Sequence, residues 1–295
     1  MNKCWPLVVV AVALHTGLSC ASETVEVKVP GTGVSMSLPS SMQHGPLGTY
    51  YVEPSGQTIV QILVGTKEHE AEKAPLFGRM YPTGPRQIDL GPTQARLYKR
   101  TRAENGGGWD GWSYNLSGRE SALNVSVMYT GSDADWFDSF EQILETVRWD
   151  EQQLDSERSF RAHIAVPGLQ LVQRQVGGLW FTADGSPGTG VPSLGVQAMP
   201  VTPAQAGQIF PAICETGIAQ AFEQGKYSGP HRFESAGIAG CDGWASVEDE
   251  KMVYVAILRT ADGAVLSAIA NLAPKNFDAT RDSFRAALLQ MKRLH

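Results

Sequence analysis

Three short stretches of this chain occur twice, in the same order. The first ends in Val-Pro-Gly, the second ends in Asp-Gly-Trp, and the third reads Asp-Ser-Phe. The copies are residues 27–31 and 164–168, 108–112 and 240–244, and 138–140 and 282–284. Their separations of 137, 132 and 144 residues place one copy of each in either half of the chain. The repeats predict two related domains that arose by duplication.

The N-terminus has the pattern of an export signal. Lys3 precedes an apolar run from Trp5 to Leu14, which is too short to span a bilayer. We assign residues 1–21 to a signal peptide, with cleavage between Ala21 and Ser22. A lipid anchor on Cys20 is the alternative. No later run is long and apolar enough for a membrane span, so we predict an exported, periplasmic protein, with a lipid-anchored or secreted one as the alternatives.

The length of the chain fits two domains of about 130 residues each. We assign residues 22–150 to the first domain, 151–157 to a charged linker and 158–295 to the second domain. The formal net charge is −6, and the acidic excess lies in residues 22–156, where 18 acidic residues face 11 basic ones. Because the sequence has no basic patch, we exclude nucleic acid as a partner.

The cysteines are consistent with export. Cys4 and Cys20 fall in the leader, which leaves Cys214 and Cys241 as one pair. In an oxidising compartment such a pair predicts a disulfide. It would join a helix over residues 203–223 to the second Asp-Gly-Trp sequence.

Each half is predicted to contain a run of strands and then a closing helix. Apolar and polar residues alternate at 25–29 and 34–38, and the closing helices begin near residues 133 and 276. We interpret each Asp-Gly pair as a turn, with the following Trp anchoring the next strand. About twelve additional residues after the second motif predict an added strand. The fold class is therefore α+β: two tandem antiparallel sheets, each covered by helices.

This pattern of an opening strand with Val-Pro-Gly, a Gly-Trp motif, a strand meander and a Phe-rich closing helix resembles the Mog1/PsbP-like α/β/α sandwich. It is especially similar to the bacterial periplasmic (DcrB-type) and secretion-associated members. The resemblance covers nearly all of the chain after the leader, once per half. It implies binding and assembly modules rather than enzymes. Two-lobed exported proteins of this kind also resemble periplasmic immunity proteins that neutralise type VI secretion effectors, which implies a protein toxin as the partner.

The residue types of catalytic and metal sites do not cluster in a recognisable motif. The histidines have no metal-binding spacing, and the mixed run 67–73 is typical of a solvated helix face rather than a metal site. We therefore predict a non-catalytic protein-binding module without cofactor or metal. A small-ligand or envelope-assembly module is the alternative, and a hydrolase with dispersed carboxylates is less favoured.

Two features of the first half are candidates for partner contact. The first is Trp109, because Trp is common at binding hot spots and the repeat places Cys241 at the matching position. The second is an acidic stripe on the closing helix, for which a plain solvated face is the alternative. Its members are Asp135, Asp138, Glu141 and Glu145, matched by Ala279, Asp282, Arg285 and Leu289 in the second half. We predict that the stripe speeds association with a basic partner.

Overall fold

A computed structural model describes residues 23–67, 81, 84–89, 94–102, 108–188, 190–222, 226–248 and 251–294. Over these residues the chain forms two antiparallel seven-stranded sheets, one in each half, together with four α-helices. The chain is therefore α+β, as predicted. The leader, with Cys20 and the Ala21–Ser22 bond, lies outside the described residues, and so does most of the run 67–73. None of the helices described is both long and apolar enough to cross a membrane.

The first half contains strands and one α-helix in its described residues. The elements are β1 (Thr24–Val29), β2 (Val34–Pro39), β3 (Gln43–His44), β4 (Tyr50–Val52), β5 (Thr58–Thr66), β6 (Pro85–Asp89), β7 (Gln94–Arg100), β8 (Asp110–Ser117), β9 (Ser121–Tyr129), α1 (Ala134–Glu145) and β10 (Arg148–Trp149). Helix α1 begins after Asp133, whose carboxylate accepts a hydrogen bond from the Trp136 N–H, and its buried face carries Phe140 and Leu144.

The second half follows a 3-10 turn, Glu151–Gln153. Its elements are α2 (Ser156–Phe160), β11 (Ala162–His163), β12 (Gln170–Leu171), β13 (Gly178–Thr182), β14 (Ser193–Met199), α3 (Pro203–Ala221), β15 (Ser228–Ser235), β16 (Ile238–Glu248), β17 (Lys251–Arg259), β18 (Val265–Leu272), α4 (Phe277–Leu289) and β19 (Lys292–Arg293). A capping box between Thr202 and Gln205 starts α3.

The two sheets have the same strand order. In the first it is β3-β4-β5-β9-β8-β7-β6, and in the second β12-β13-β14-β18-β17-β16-β15. Counted along the chain, both orders are 1-2-3-7-6-5-4. Each sheet is followed by a closing helix, α1 or α4, and by a short strand that pairs outside the sheet. Strand order therefore gives each strand of one seven-stranded sheet a counterpart in the other.

This correspondence corrects our use of the repeated Asp-Gly-Trp sequences. The first opens β8, but the second lies inside β16, whose counterpart is β7. Both are in strands, so the prediction of a turn is wrong. The added strand expected after the second motif is β17, the counterpart of β8; within the described residues the second sheet has no extra strand. The closing helices do correspond, since Phe140 and Phe284 each stand eight residues before β10 and β19.

The glycines of these motifs serve close approach instead of a turn. A Cβ at Gly111 would collide with the indole of Trp109, and a Cβ at Gly243 would lie 2.6 Å from the Ile218 side chain of α3. Glycine inside a strand is typical of such contacts. Asp-Gly therefore indicates a turn only where no neighbouring group occupies the space that a side chain at the glycine would fill.

Helices pack on both faces of the second sheet. Phe284 and Leu288 of α4 lie on one face, while Ile218 and Phe222 of α3 lie on the other. The disulfide between Cys214 in α3 and Cys241 in β16 is present as predicted, with Cα atoms 5.9 Å apart. It ties α3 to a strand and not to a turn.

The two halves share a core. In β4 the side chain of Tyr51 packs in the core of the first half, whereas those of Tyr50 and Val52 pack in the core of the second. The Tyr50 hydroxyl donates to the Val201 carbonyl at 3.1 Å. Arg161 and Arg293 donate to the carbonyls of the loop just before β4. The first half is therefore joined to the second through an outer face of its own sheet.

The residues that we assigned to a linker are folded. The carboxylates of Asp150 and Asp155 cap the 3-10 turn and α2, accepting from the Gln152 and Arg158 N–H groups. Glu151 accepts hydrogen bonds from three backbone N–H groups in the β8–β9 turn. Burial would raise the pKa of Glu151, but these bonds hold it below its ordinary value. The charges of this segment thus stabilise local structure.

Candidate functional site

The predicted site residues lie on two faces of the first sheet. The acidic stripe of α1 and the basic residues of β6 and β7 that pair with it form one surface, which we call the α1 surface; its members are Arg86, Lys99, Asp135, Asp138, Glu141 and Glu145. Trp109 and Arg100 lie on the opposite face, because Trp109 packs over Gly111 and Arg100 pairs with Gly111, whereas the next residue, Trp112, faces α1. The structure thus places Trp109 and the stripe at the same end of the sheet but on different faces.

Arg86 pairs with the C-terminal part of the stripe. Its Nη2 lies 2.8 Å from Glu141 Oε1 and 2.7 Å from Glu145 Oε1. The hydrogen bond to Glu145 raises the pKa of Arg86. All three side chains are well exposed, so solvent screens each pair and its contribution to stability is small. Their effect is to fix where the charges lie.

Lys99 pairs with the middle of the stripe. Its Nζ lies 2.7 Å from Asp138 Oδ1 and 4.8 Å from the centroid of the Trp112 ring. Asp135, one turn earlier, is exposed. Two strand cations therefore offset part of the charge of four carboxylates, and the negative field of the stripe is weaker than the sequence of α1 suggests.

Trp109 is held in place from two sides. The guanidinium carbon of Arg100 lies 4.2 Å from the centroid of its ring, and its indole packs over Gly111. Both contacts restrict the rotamer of a partly exposed indole before any partner arrives. A preorganised Trp-Arg pair loses little side-chain entropy on binding.

A cleft of about 440 Å³ lies at the beginning of α1, beside Lys99 and Asp138. Arg102 and Asp110 form one wall, with Arg102 Nη2 2.6 Å from Asp110 Oδ2 and the Arg102 backbone N–H also donating to the same carboxylate. Burial would raise the pKa of Asp110, but the hydrogen bonds and charge of Arg102 hold it below its ordinary value. The wall therefore stays an ion pair at neutral pH.

The corresponding place in the second half has the opposite arrangement. Arg285 of α4 stands four residues before the helix end, as Glu141 does in α1. Its Nη2 lies 2.6 Å from Asp242 Oδ2, and that carboxylate is fully buried and also accepts from the Tyr254 hydroxyl at 2.9 Å. The helix carries the cation here and the strand carries the anion, so this counterpart is a buried structural cluster.

Sequence reasoning missed the basic half of the α1 surface. Arg86 and Lys99 belong to strands whose position beside α1 follows from strand order, which local patterns do not reveal. The available signal was Lys99 on β7, which is two residues from the buried Leu97 and therefore on the same face of the strand. A cation on the core-facing side of a strand indicates pairing with a neighbouring acidic helix.

A second cleft, of about 760 Å³, lies where the β1–β2 turn meets the segment after β10. Its cations are Lys28, Arg148 and Arg158. The carboxylates beside them, Asp150 and Asp155, are engaged as helix caps. Across the described ranges no group of three or more His, Cys, Asp or Glu side chains could hold a metal ion.

The chain matches no known protein family and no curated protein. Among solved structures it is similar to acyl-CoA thioesterase II TesB2 from Mycobacterium marinum, with 8% identity and a TM-score of 0.17, over 63% of this chain and 75% of that chain. It is also similar to a structure from work on dehydratases of type I polyketide synthases, with 13% identity and a TM-score of 0.16, over 78% of this chain and 98% of that chain. Likenesses at these TM-scores carry no argument about fold or activity.

Proposed function

We propose that the protein is a non-catalytic, exported protein-binding module, and that the α1 surface contacts its partner. The observation that carries the proposal is the row of exposed ion pairs that α1 forms with β6 and β7. Trp109, stacked on Arg100 at 4.2 Å, lies at the same end of the sheet on its other face and would be a second contact. Trp and Arg dominate binding hot spots. In the second half the residue that matches Glu141 is Arg285, which pairs with a buried carboxylate, while the exposed carboxylates of α4, Asp278 and Asp282, pair with Arg281 beside Trp244. Folding alone therefore does not require an exposed pair at the position of Glu141.

We further propose that the two halves arose by duplication of a Mog1/PsbP-like unit. The shared strand order supports this, because unrelated sheets have many other orders available. The helices on both faces of the second sheet support a sandwich of helix, sheet and helix. Domains of this kind bind other proteins in the family that the sequence resembles, which is consistent with a partner-binding role.

For the partner, we propose a secreted protein toxin that this protein neutralises in the periplasm. The α1 surface offers cations and carboxylates in alternation, so a matching partner presents both signs in register. Ion pairs on the rim of such a complex affect the association rate more than the dissociation rate. Trp109, by contrast, would govern dissociation.

The test is a binding series on the natural partner once it has been captured from the cell envelope. Trp109→Ala is expected to weaken binding at least tenfold, mainly through faster dissociation. Replacing Asp138, Glu141 and Glu145 by Asn or Gln is expected to slow association at low salt by a few-fold. The matched controls on the second half are Trp180→Ala and Asp278→Asn. Equal losses in the controls, or none in either set, would contradict the proposed surface.

The cleft of about 760 Å³ supports a second candidate, a small-ligand module. Lys28 and Arg158 have no ion pair among the described residues, while the neighbouring carboxylates are held by caps. This charge balance favours an anionic ligand. Titration with citrate and inorganic phosphate tests it: Lys28→Gln with Arg158→Gln should abolish saturable binding, and Lys226→Gln with Lys275→Gln should leave it intact.

A further inference from the structure

A pocket of about 190 Å³ lies on the open part of the second sheet, away from the α1 surface. Helix α3 packs on this face over β15, β16 and β17, and its cluster reaches only the end of β14, at Met199, and the start of β18, at Val265. Ile269 in the uncovered part is 52% exposed. The lining of this pocket contains no charged side chain among the described residues. A pocket without charge on its walls favours a neutral ligand.

The floor of the pocket is an aromatic plane. Trp180 in β13 pairs across the sheet with Gly195 in β14, and its six-membered ring occupies the space where a Cβ of residue 195 would stand. Only glycine at 195 lets the indole lie flat on the sheet. One face of the ring is covered by backbone, and the pocket lies against the rest of the side chain.

Short polar side chains surround the indole. Gln197, Ser267, Asn271 and Ser193 all line the pocket, together with Thr182. The Asn271 amide donates to Ser193 Oγ at 3.2 Å, which leaves its carbonyl oxygen and the remaining hydroxyl lone pairs for a ligand. The site therefore combines one planar apolar surface with several neutral donors and acceptors.

In the first half, the residue at the position that matches Trp180 is part of the core. Tyr50 stands two residues before the end of β4, as Trp180 does in β13, and it is buried against the second half at 2% exposure. Trp180, by contrast, is only partly buried and lines a pocket. The same place in the strand order thus holds a core aromatic in one half and an open one in the other.

We propose that this pocket binds the pyranose ring of a neutral sugar. The ring's C–H face would stack on the indole, whose π-face is electron-rich, and its hydroxyl groups would hydrogen-bond to the amide and hydroxyl side chains around it. A volume of about 190 Å³ accommodates one sugar ring, not a longer chain. The site is separate from the α1 surface and independent of the protein partner proposed there.

The experiment is an NMR titration of the full exported chain with methyl β-D-glucopyranoside, methyl β-D-galactopyranoside and N-acetylglucosamine. Saturable binding in the millimolar range to at least one of them is expected. Trp180→Ala should weaken it at least tenfold, Trp180→Phe should restore part of the loss, and Asn271→Ala should weaken it a few-fold. Tyr227→Ala, which removes another exposed aromatic outside both proposed sites, is the matched control and should bind as the unaltered chain does. Circular dichroism of each variant reports whether it folds.

Three results would overturn the proposal. One is the absence of saturable binding to all three sugars. Another is an equal loss in Tyr227→Ala, which would indicate non-specific contact. The third is self-association of the unaltered chain that Trp180→Ala abolishes, because the open face would then belong to a second copy of the chain.

Discussion

The two halves of this molecule have one strand order but use it differently. In the first, the outer face of β4 is buried by joining the second half, and the side chains around the closing helix form an exposed row of ion pairs. In the second, the matching face of β13 is open and the matching helix position forms a buried cluster. The comparison teaches that strand order specifies where side chains meet, while the side chains decide whether that place is core or surface.

The most severe change would remove the aromatic that joins the halves. Tyr50→Ala should lower the free energy of unfolding by about 3–5 kcal/mol, because Tyr50 is fully packed and its hydroxyl is hydrogen-bonded. Its counterpart change, Trp180→Ala, should cost about 1 kcal/mol, since the indole is partly open. Urea denaturation of both variants measures the difference. Similar losses in the two would mean that the open face of the second sheet is also a core contact.

Acidification should lower the stability of the first half through His44, whereas the matching residue of the second half does not ionise. Burial, and then the charge of Arg161, lower the pKa of His44 from 6.5 to about 4. Between these values the unfolded chain binds a proton that the folded chain does not, so stability falls as pH drops from about 6.5 to about 4. The total loss is up to about 3 kcal/mol.

Leu171 stands at the matching place in the second half, since His44 pairs with Tyr51 and Leu171 with Phe181. His44→Leu should therefore flatten the dependence of stability on pH in this range, which denaturation curves at pH 7 and pH 4.5 would measure. If the variant kept the full dependence, the acid sensitivity would lie elsewhere.

The smallest expected effect separates the two ion pairs at corresponding helix positions. Arg285→Gln leaves the fully buried carboxylate of Asp242 without its cation and should cost about 2 kcal/mol. Glu141→Gln breaks an exposed pair with Arg86 and should change stability by no more than about 0.5 kcal/mol. Thermal unfolding of the two variants, each compared with the unaltered chain, gives this ratio. Equal effects would remove the distinction between a structural cluster and a surface row.

Local patterns predicted most of the strands and three of the α-helices from the sequence. Alternation found β1, β2 and β5, and helical spacing found α1, α3 and α4, because each of these buries one face. The disulfide was also predicted, because Cys4 and Cys20 fall in the leader and Cys214 and Cys241 remain to pair with each other. Strands β6 and β15 were missed: they are edge strands with largely exposed side chains, so neither shows an apolar alternation.

The repeats located two halves that have the same strand order but aligned their strands wrongly. Asp-Gly-Trp matched because glycine is needed wherever a side chain must lie close to a strand, and this happens in β8 for Trp109 and in β16 for α3. Such a need is tertiary and can arise in strands that do not correspond. For the same reason only part of the site was predicted. The acidic stripe follows from the helical spacing of α1 alone, whereas its partners Arg86 and Lys99 come from strands whose position depends on strand order.

The central claim is that the α1 surface, and not its counterpart on α4, contacts the protein partner. Gln142 and Ala286 test it as a matched pair, because each is exposed and stands three residues before the end of its helix. A photo-crosslinking amino acid would replace each in turn in cells that export the protein. We predict a discrete crosslinked product from position 142 that replacing Asp138, Glu141 and Glu145 by Asn or Gln weakens, and none from position 286. A product from position 286 alone, or equal products from both, would contradict the claim.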